Sequence, residues 1–454
     1  MVLAIGLVAG WSTALLAAPL DAQRVARTVR TELSKLEVPS ASVAIVLDGR
    51  IAYAEAFGKA RLEPDRAATP AARYEIGSLS KEFLALAVLM LQEEHRLSLE
   101  DNAGKYLPDL GPAAQVTLRQ LLSHTAGIRD YWPQDYVFPR MLSPISHQEL
   151  LATWAQQPLD FPPGERWQYS NTGYSVVGVI FEKVAGEPLF DFLKRRVFRP
   201  LRMSSVVNAD EAQSTDVVGY TRAALGPPHP APHEGKGWLF AAAELAMTAE
   251  DLARWDISII DRSLMTPRSY RELESEVVLA NGVGSSYALG LDVRISSERR
   301  VLAHSGETSG FMSYNIIYPD ERAAIVALTN SDAADAASAI CDKLHDIVFE
   351  QVSPLDNARR DEARRIFDGL THGQLDRSLL TQNANAYFTP ETVEDIAHSI
   401  APLGAVKLFK LTSTGTRGGM DVRTYDISLA NRELKLVTRS LPDGRLEQYM
   451  IMAK

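Results

Sequence analysis

The stretch of this chain best equipped for chemistry is Ser78-Leu79-Ser80-Lys81. Of its twelve lysines, only Lys81 has a serine three positions before it. A serine hydroxyl is a weak nucleophile until a base removes its proton. Residues three apart on a helix share a face one turn apart, so Lys81 would stand beside the Ser78 hydroxyl. A lysine walled by apolar side chains near the positive end of a helix has its charged form disfavoured and can act as that base. Alone, the same four residues read more readily as an N-capping serine followed by a solvated lysine. Two further motifs bear on the choice. Tyr169-Ser170-Asn171 lies just after Pro162-Pro163-Gly164-Glu165. A loop tyrosine can bring its phenolate oxygen to the nucleophile, and the Asn171 amide can bind both Lys81 and a substrate carbonyl. His304-Ser305-Gly306 is expected to end a strand beside Gly310, where a glycine would let a substrate backbone pair with the strand edge. The plainer readings are an aromatic core loop and a strand-to-turn glycine with a satisfied histidine.

The elements that must position these residues come from both ends of the first 350 or so positions. Gln23–Leu36 has the periodicity of an amphipathic helix. Ser40–Leu47 and Ile51–Phe57 read as strands joined at Asp48-Gly49, a hairpin signal. Ser78–His95 is apolar at helical spacing and long enough for a buried helix. From Asp101 to about Asp261 the pattern is helical, cut by Pro- and Gly-rich loops, with Gly226–Pro232 the clearest exposed one. Strand patterning returns at Tyr287–Ile295, Val301–His304, Met312–Tyr318 and Ala323–Thr329, with a turn at Pro319-Asp320-Glu321-Arg322. Ala333–Gln351 is a closing helix. Early and late strands imply one sheet formed by both ends, with an all-helical insertion between them. Pro354 is expected to break the chain and Asn357–Arg365 to open a linker. Short helices at Asn357–Gly369, Asp376–Phe388 and Pro390–Leu403 then precede strands Ala405–Thr412, Met420–Leu429, Glu433–Ser440 and Arg445–Met452. That is a small α+β module.

Taken in order, S-x-x-K, Y-x-N and H-x-G resemble the penicillin-recognising serine hydrolases. That superfamily includes class C β-lactamases, D-alanyl-D-alanine carboxypeptidases, D-aminopeptidases and β-lactamase-like esterases. Tyr74-Glu75-Ile76-Gly77, Leu121-Leu122-Ser123-His124-Thr125-Ala126-Gly127-Ile128 and Tyr287-Ala288-Leu289-Gly290 are also similar to family stretches. The resemblance covers about residues 24–352. It implies an α+β fold: a β-lactamase/penicillin-binding-like antiparallel sheet flanked by helices, with an all-α subdomain. It further implies that Ser78 is acylated, that Lys81 and Tyr169 share the proton transfers, and that Asn171 positions substrate. His304, Ser305, Gly306 and Glu307 would line the substrate, with the Ser78 and Glu307 backbone N–H groups as oxyanion hole. His304 stands where class C β-lactamases carry lysine, which favours the peptidase, aminopeptidase and esterase branches. Ser305 and His304 could hydrogen-bond a carboxylate, which slightly favours a D-alanyl peptide. A family-typical Gly-Gly before Met247-Thr248-Ala249-Glu250-Asp251 is replaced by Ala242-Ala243-Glu244. The resulting expectation is a serine hydrolase working through an acyl-enzyme on a small amide, D-alanyl-type peptide or ester. A true class C-like β-lactamase is the alternative within the family, and a non-catalytic penicillin-binding sensor the alternative outside it.

Composition narrows the rest. The 454 residues are 46 % hydrophobic and 23 % charged, so disorder is excluded as the main theme. A net charge of −10 without a Lys/Arg run excludes a nucleic-acid footprint. The single cysteine, Cys341, cannot form an internal disulfide or a Cys-rich metal cage and reads as a buried hydrophobe. No G-x-S-x-G is present, which excludes an α/β-hydrolase elbow. His229 and His233 are four apart, but in a proline-rich loop rather than on a helix, so no metal and no cofactor is expected. The partner is a small-molecule or peptide substrate, with the oligomeric state open. Val2–Ala18 is an apolar run ending in small residues. The expected organisation is therefore a signal peptide over residues 1–22, a hydrolase domain over 23–353 and an accessory domain over 354–454. Periplasmic or secreted localisation follows, with a membrane anchor as the alternative.

Overall fold

The structure is a computed structural model that describes residues 20–454 apart from 133–136, 138, 212–215, 297–298 and 353. Residues 1–19 of the expected leader lie outside the described residues. Among the described residues, no helix is long and apolar enough to cross a membrane. The chain divides into a larger unit, Leu20–Val348, and a smaller one, Phe349–Lys454, against an expected division at 353. As expected, the helical run is divided at Pro354, between Ala336–Val352 and Pro354–Leu370. Pro354 is the first residue of the second helix, a position where a missing N–H costs nothing, and the expected linker Asn357–Arg365 instead lies inside that helix.

The larger unit is built on a seven-stranded sheet of antiparallel pairs. Its spatial order is Arg66–Ala67, Arg50–Arg61, Ser40–Leu47, Ala323–Thr329, Phe311–Tyr318, Arg299–Thr308 and Asp292–Ser296. Early and late strands do meet in one sheet: Ser40–Leu47 pairs with Ala323–Thr329, with Ala44 opposite Val326. The hairpin forms where Asp48 and Gly49 both take positive φ, 52° and 70°, whose twist suits a two-residue turn. Ser40–Leu47 is buried almost throughout, as a continuous apolar run at a sheet centre should be. Helix Ala22–Leu36, capped by the Asp21 carboxylate accepting the Arg24 N–H at 2.9 Å, lies against the Ser40–Leu47 and Arg50–Arg61 strands.

Two expectations change in detail. The strand expected over Tyr287–Ile295 starts only at Asp292, because Ser286 and Gly290 turn the chain with φ of 58° and 76°. The middle of the chain is largely helical, with Asn171–Ala185 and Ala249–Asp261 its longest helices. It also carries a three-stranded sheet of Tyr74–Glu75, Leu245–Met247 and Val207–Asn208, so it is not all-α. Helix Ser80–Glu93 is buried from Ser80 to Leu91, its unbroken apolar run being Phe83–Leu91 and its first turn burying the polar Ser80, Lys81 and Glu82 as well.

In the smaller unit, a four-stranded antiparallel meander covers a core that includes Phe367, Leu370, Tyr425 and Leu436. The strands are Val406–Arg417, Met420–Leu429, Glu433–Ser440 and Leu446–Ala453. The helix expected over Asp376–Phe388 is split into Arg377–Leu379 and Gln382–Tyr387. Asp376 and Thr381 each cap a new start, accepting the Ser378 and Ala384 N–H groups.

Candidate active site

Gly77–Leu79 forms a 3-10 turn that runs directly into the Ser80–Glu93 helix. Residues three apart nearly eclipse in that turn, which stacks Lys81 over Ser78. The Lys81 amine donates to Ser78 Oγ at 2.9 Å, to Asn171 Oδ1 at 2.7 Å and to the Ala242 carbonyl at 2.9 Å. Lys81 is wholly buried, and burial pulls its ammonium down to about 7 against an opposing pull from Asp130. Two of its three partners can only accept. When Lys81 is neutral, its two N–H bonds stay on Asn171 and Ala242, and the lone pair falls to Ser78.

Tyr169 reaches the same oxygen from the opposite flank. Its hydroxyl donates to Ser78 Oγ at 2.7 Å, and its ring centroid lies 4.9 Å from Lys81 Nζ. Burial raises the Tyr169 hydroxyl far above the ordinary tyrosine value, so it rests as a phenol and not as the expected phenolate. Asn171 opens the helix Asn171–Ala185, capped by the Ser170 hydroxyl accepting the Gly173 N–H at 3.2 Å. Its orientation is set by Asp130, whose carboxylate accepts the Asn171 backbone N–H at 2.8 Å and Nδ2–H at 3.0 Å. The amide is thereby held with Oδ1 towards Lys81.

Asp130 carries no sequence signal, since Arg129-Asp130 looks like an ordinary surface pair. His124 lies in the stretch Leu121–Ile128, where the sequence assigns it no role. Its φ is 60°, its Nδ1 accepts the Ser170 N–H at 3.1 Å, and its ring centroid lies 4.2 Å from that of Tyr169. It braces the tyrosine.

The third motif lies within the strand Arg299–Thr308 rather than at its end. His304 is buried, with Nδ1 2.5 Å from the Ser305 carbonyl and Nε2 2.7 Å from the Tyr287 hydroxyl. The carbonyl can only accept, so Nδ1 carries the proton and Nε2 accepts from Tyr287. Burial and the nearby Lys81 lower His304 to about 3, which keeps it neutral. His304 thus braces the sheet and is not turned to a substrate carboxylate.

The backbone that approaches Gly306 is the chain's own. A Cβ there would lie 2.0 Å from the Ile76 carbonyl oxygen, which accepts the Ser313 hydroxyl at 2.7 Å. A Cβ on Gly77, whose φ is 50°, would lie 2.5 Å from the Glu307 backbone nitrogen. Two glycines therefore let the Ser78 turn lie flat on the strand, next to Glu307. Ser305 and Glu307 are the exposed residues of that stretch, alternating with buried His304, Gly306 and Thr308. Glu307 also borders a cavity of 170 Å³ whose lining includes Trp132, Thr221, Ser309 and Asp332.

Arranged this way on this fold, the motifs place the chain among the penicillin-recognising serine hydrolases they resemble. Residues 25–346 match the family model described as Beta-lactamase, and the chain belongs to that family. It is 27 % identical over 383 residues to Penicillin-binding protein 4* of Bacillus subtilis, covering 81 % of this chain and 85 % of that one. The octameric penicillin-binding protein homologue from Pyrococcus abyssi superposes with a TM-score of 0.62 at 20 % identity, over 95 % of this chain and 100 % of that one. A D-stereospecific amidohydrolase from a Streptomyces species gives 0.60 at 25 % identity, over 70 % of this chain and 97 % of that one.

Proposed function

We propose that this chain is a serine hydrolase that cleaves a small D-aminoacyl amide or ester through an acyl-enzyme on Ser78. One observation carries the reading: Ser78 Oγ is hydrogen-bonded by both the buried Lys81 amine and the Tyr169 hydroxyl. Neutral Lys81 takes the Ser78 proton as Oγ attacks the carbonyl carbon. The oxyanion faces the Ser78 and Glu307 backbone N–H groups, donors typically worth roughly 3–4 kcal/mol each. Tyr169 hands its proton to the leaving nitrogen or oxygen and recovers one from Lys81, which breaks the carbonyl–leaving-group bond and leaves the ester on Ser78. Water then enters by the same path in reverse, and the acid and Ser78 are released.

Charge favours a free amine on the acyl part. Glu307 and Asp332 border the adjoining cavity, while neutral His304 stands where a lysine would receive a carboxylate. The D-stereospecific amidohydrolase among the structural relatives supports an amide of D-configuration. Purified protein assayed with D-alanine p-nitroanilide, its N-acetyl derivative, an N-acyl-D-alanyl-D-alanine peptide and nitrocefin tests it. The free-amine anilide should be hydrolysed fastest, and Ser78→Ala should abolish turnover. Faster cleavage of the acyl dipeptide or of nitrocefin would overturn the amine preference. Turnover that survives Ser78→Ala would overturn the mechanism.

A further inference from the structure

Just before the Ser78 turn, the fold brings Glu75 to two residues that are remote in sequence, His233 and Glu234. One donor atom from each lies within 4.8 Å of the other two. Glu75 and Glu234 are buried, at 1 % and 4 % exposure. Each of the three has its second polar atom tied to the protein. Glu75 Oε2 accepts the Thr308 hydroxyl at 2.9 Å, and Glu234 Oε1 accepts the Ser309 N–H at 3.0 Å. His233 Nδ1 lies 2.8 Å from the Glu234 carbonyl, which fixes its proton there. Glu75 Oε1 and His233 Nε2 are hydrogen-bonded to each other, which leaves Glu234 Oε2. That atom is buried without a hydrogen-bond partner, a costly position for a carboxylate oxygen.

His233 Nε2 and Glu75 Oε1 meet at 3.2 Å as an imidazolium–carboxylate pair. Against burial, the Glu75 hydrogen bond and the Glu75 and Glu234 charges raise His233 to about 9, and a bound ion would take the place of the Nε2 proton. Donor atoms about 2.0–2.2 Å from a tetrahedral ion sit roughly 3.3–3.6 Å apart, so this pair at 3.2 Å is close to that spacing and the third donor, within 4.8 Å, would move inwards to complete it. A histidine that donates one ring N–H to a carbonyl while presenting the other nitrogen has the usual support of a metal-bound imidazole. His233, its side chain 20 % exposed, gives the access path.

We propose that Glu75, His233 and Glu234 bind a divalent transition-metal ion of the Zn²⁺ type. The two carboxylates and one imidazole suit a borderline cation, and no redox step is involved. The ion would tie the segment ahead of Ser78 to Thr308 and Ser309, the residues that follow Glu307. It would thus clamp the two backbones that carry the Ser78 and Glu307 N–H groups. Sequence spacing pairs His233 with His229, whereas folding pairs it with Glu75.

Tag-free full-length protein, stripped with a chelator, is titrated with Zn²⁺ by calorimetry and with Co²⁺ by visible absorption, beside Glu234→Gln and His233→Gln. The wild type should take up one equivalent and show a raised Tm with Zn²⁺. Each variant should bind at least about tenfold more weakly and show no such rise. Should either variant fail to fold, X-ray absorption of the Zn²⁺-loaded wild type decides, with light N/O ligands at about 2.0–2.2 Å expected. Absence of saturable uptake would overturn the proposal and leave an imidazolium–carboxylate contact. So would equal uptake by wild type and both variants, or sulfur in the ion's shell. None of these readouts depends on turnover, so failure here is separate from failure of the acyl-enzyme reading.

Discussion

Replacing Lys81 by methionine removes a buried amine while keeping most of its volume, and the consequence for stability has a definite pH dependence. In the folded chain the Lys81 ammonium titrates near 7, against 10.5 unperturbed. At roughly 1.4 kcal/mol per unit, burial of the charged form costs on the order of 5 kcal/mol. Below pH 7 both folded and unfolded chains hold the proton, so that full cost is present. Between 7 and 10.5 the unfolded chain binds the proton and the folded chain does not, so stability rises with pH. Methionine carries no proton and has no such slope. It leaves Asn171 Oδ1 and the Ala242 carbonyl without this donor, at about 1–3 kcal/mol each whatever the pH. From pH 6 to pH 9 the wild type should therefore gain roughly 2–3 kcal/mol relative to Lys81→Met. Urea unfolding of both proteins at the two pH values measures this, since titrating groups remote from Lys81 cancel in the difference and only those coupled to it, Asp130 above all, share in the slope. In the wild type, the rate of Ser78 labelling by a fluorophosphonate should rise with pH around an apparent pKa of about 7. A flat stability difference, together with a labelling rate constant from pH 6 to 9, would refute the claim that Lys81 is a desolvated base.

Three further outcomes follow from the geometry. Tyr169→Phe removes a hydroxyl 2.7 Å from Ser78 Oγ. It should lower kcat by about 10²–10⁴-fold with unchanged circular dichroism, and near-normal turnover would move the proton path elsewhere. Gly306→Ala puts a Cβ 2.0 Å from the Ile76 carbonyl oxygen and must displace the Ser78 turn. A loss of roughly 10²-fold in Ser78 labelling is expected, since a shift of about 1 Å in a reacting group costs that much; unchanged labelling would show that the contact does not position Ser78. A chain ending at Val352 retains the whole of Leu20–Val348 and every proposed catalytic residue. It should fold and keep Ser78 reactive towards a small ester; an insoluble or unlabelled product would place part of the catalytic fold in the C-terminal unit.

What this sequence determines alone is whatever rests on local spacing. Ser78 and Lys81, three apart ahead of an unbroken apolar run, had to share a turn. Asp48-Gly49 between two apolar runs had to be a hairpin. Met420–Leu429 and Glu433–Ser440 alternate apolar and polar residues and form strands over those spans. Tertiary structure decided what depends on groups far apart in the chain. Asp130 becomes the anchor of Asn171 only because folding supplies it with two N–H donors. The motif histidine His304 turns out to be a buried, neutral brace because Tyr287 and Asn315 close around it, with the Asn315 side chain accepting the His304 N–H at 3.1 Å. Gly306 serves Ile76 and not a substrate, a difference set by which backbone arrives at 2.0 Å. Spacing records which side chains share a turn or a face. Desolvation, tautomer and close backbone approach are set by neighbours that only the folded chain brings together.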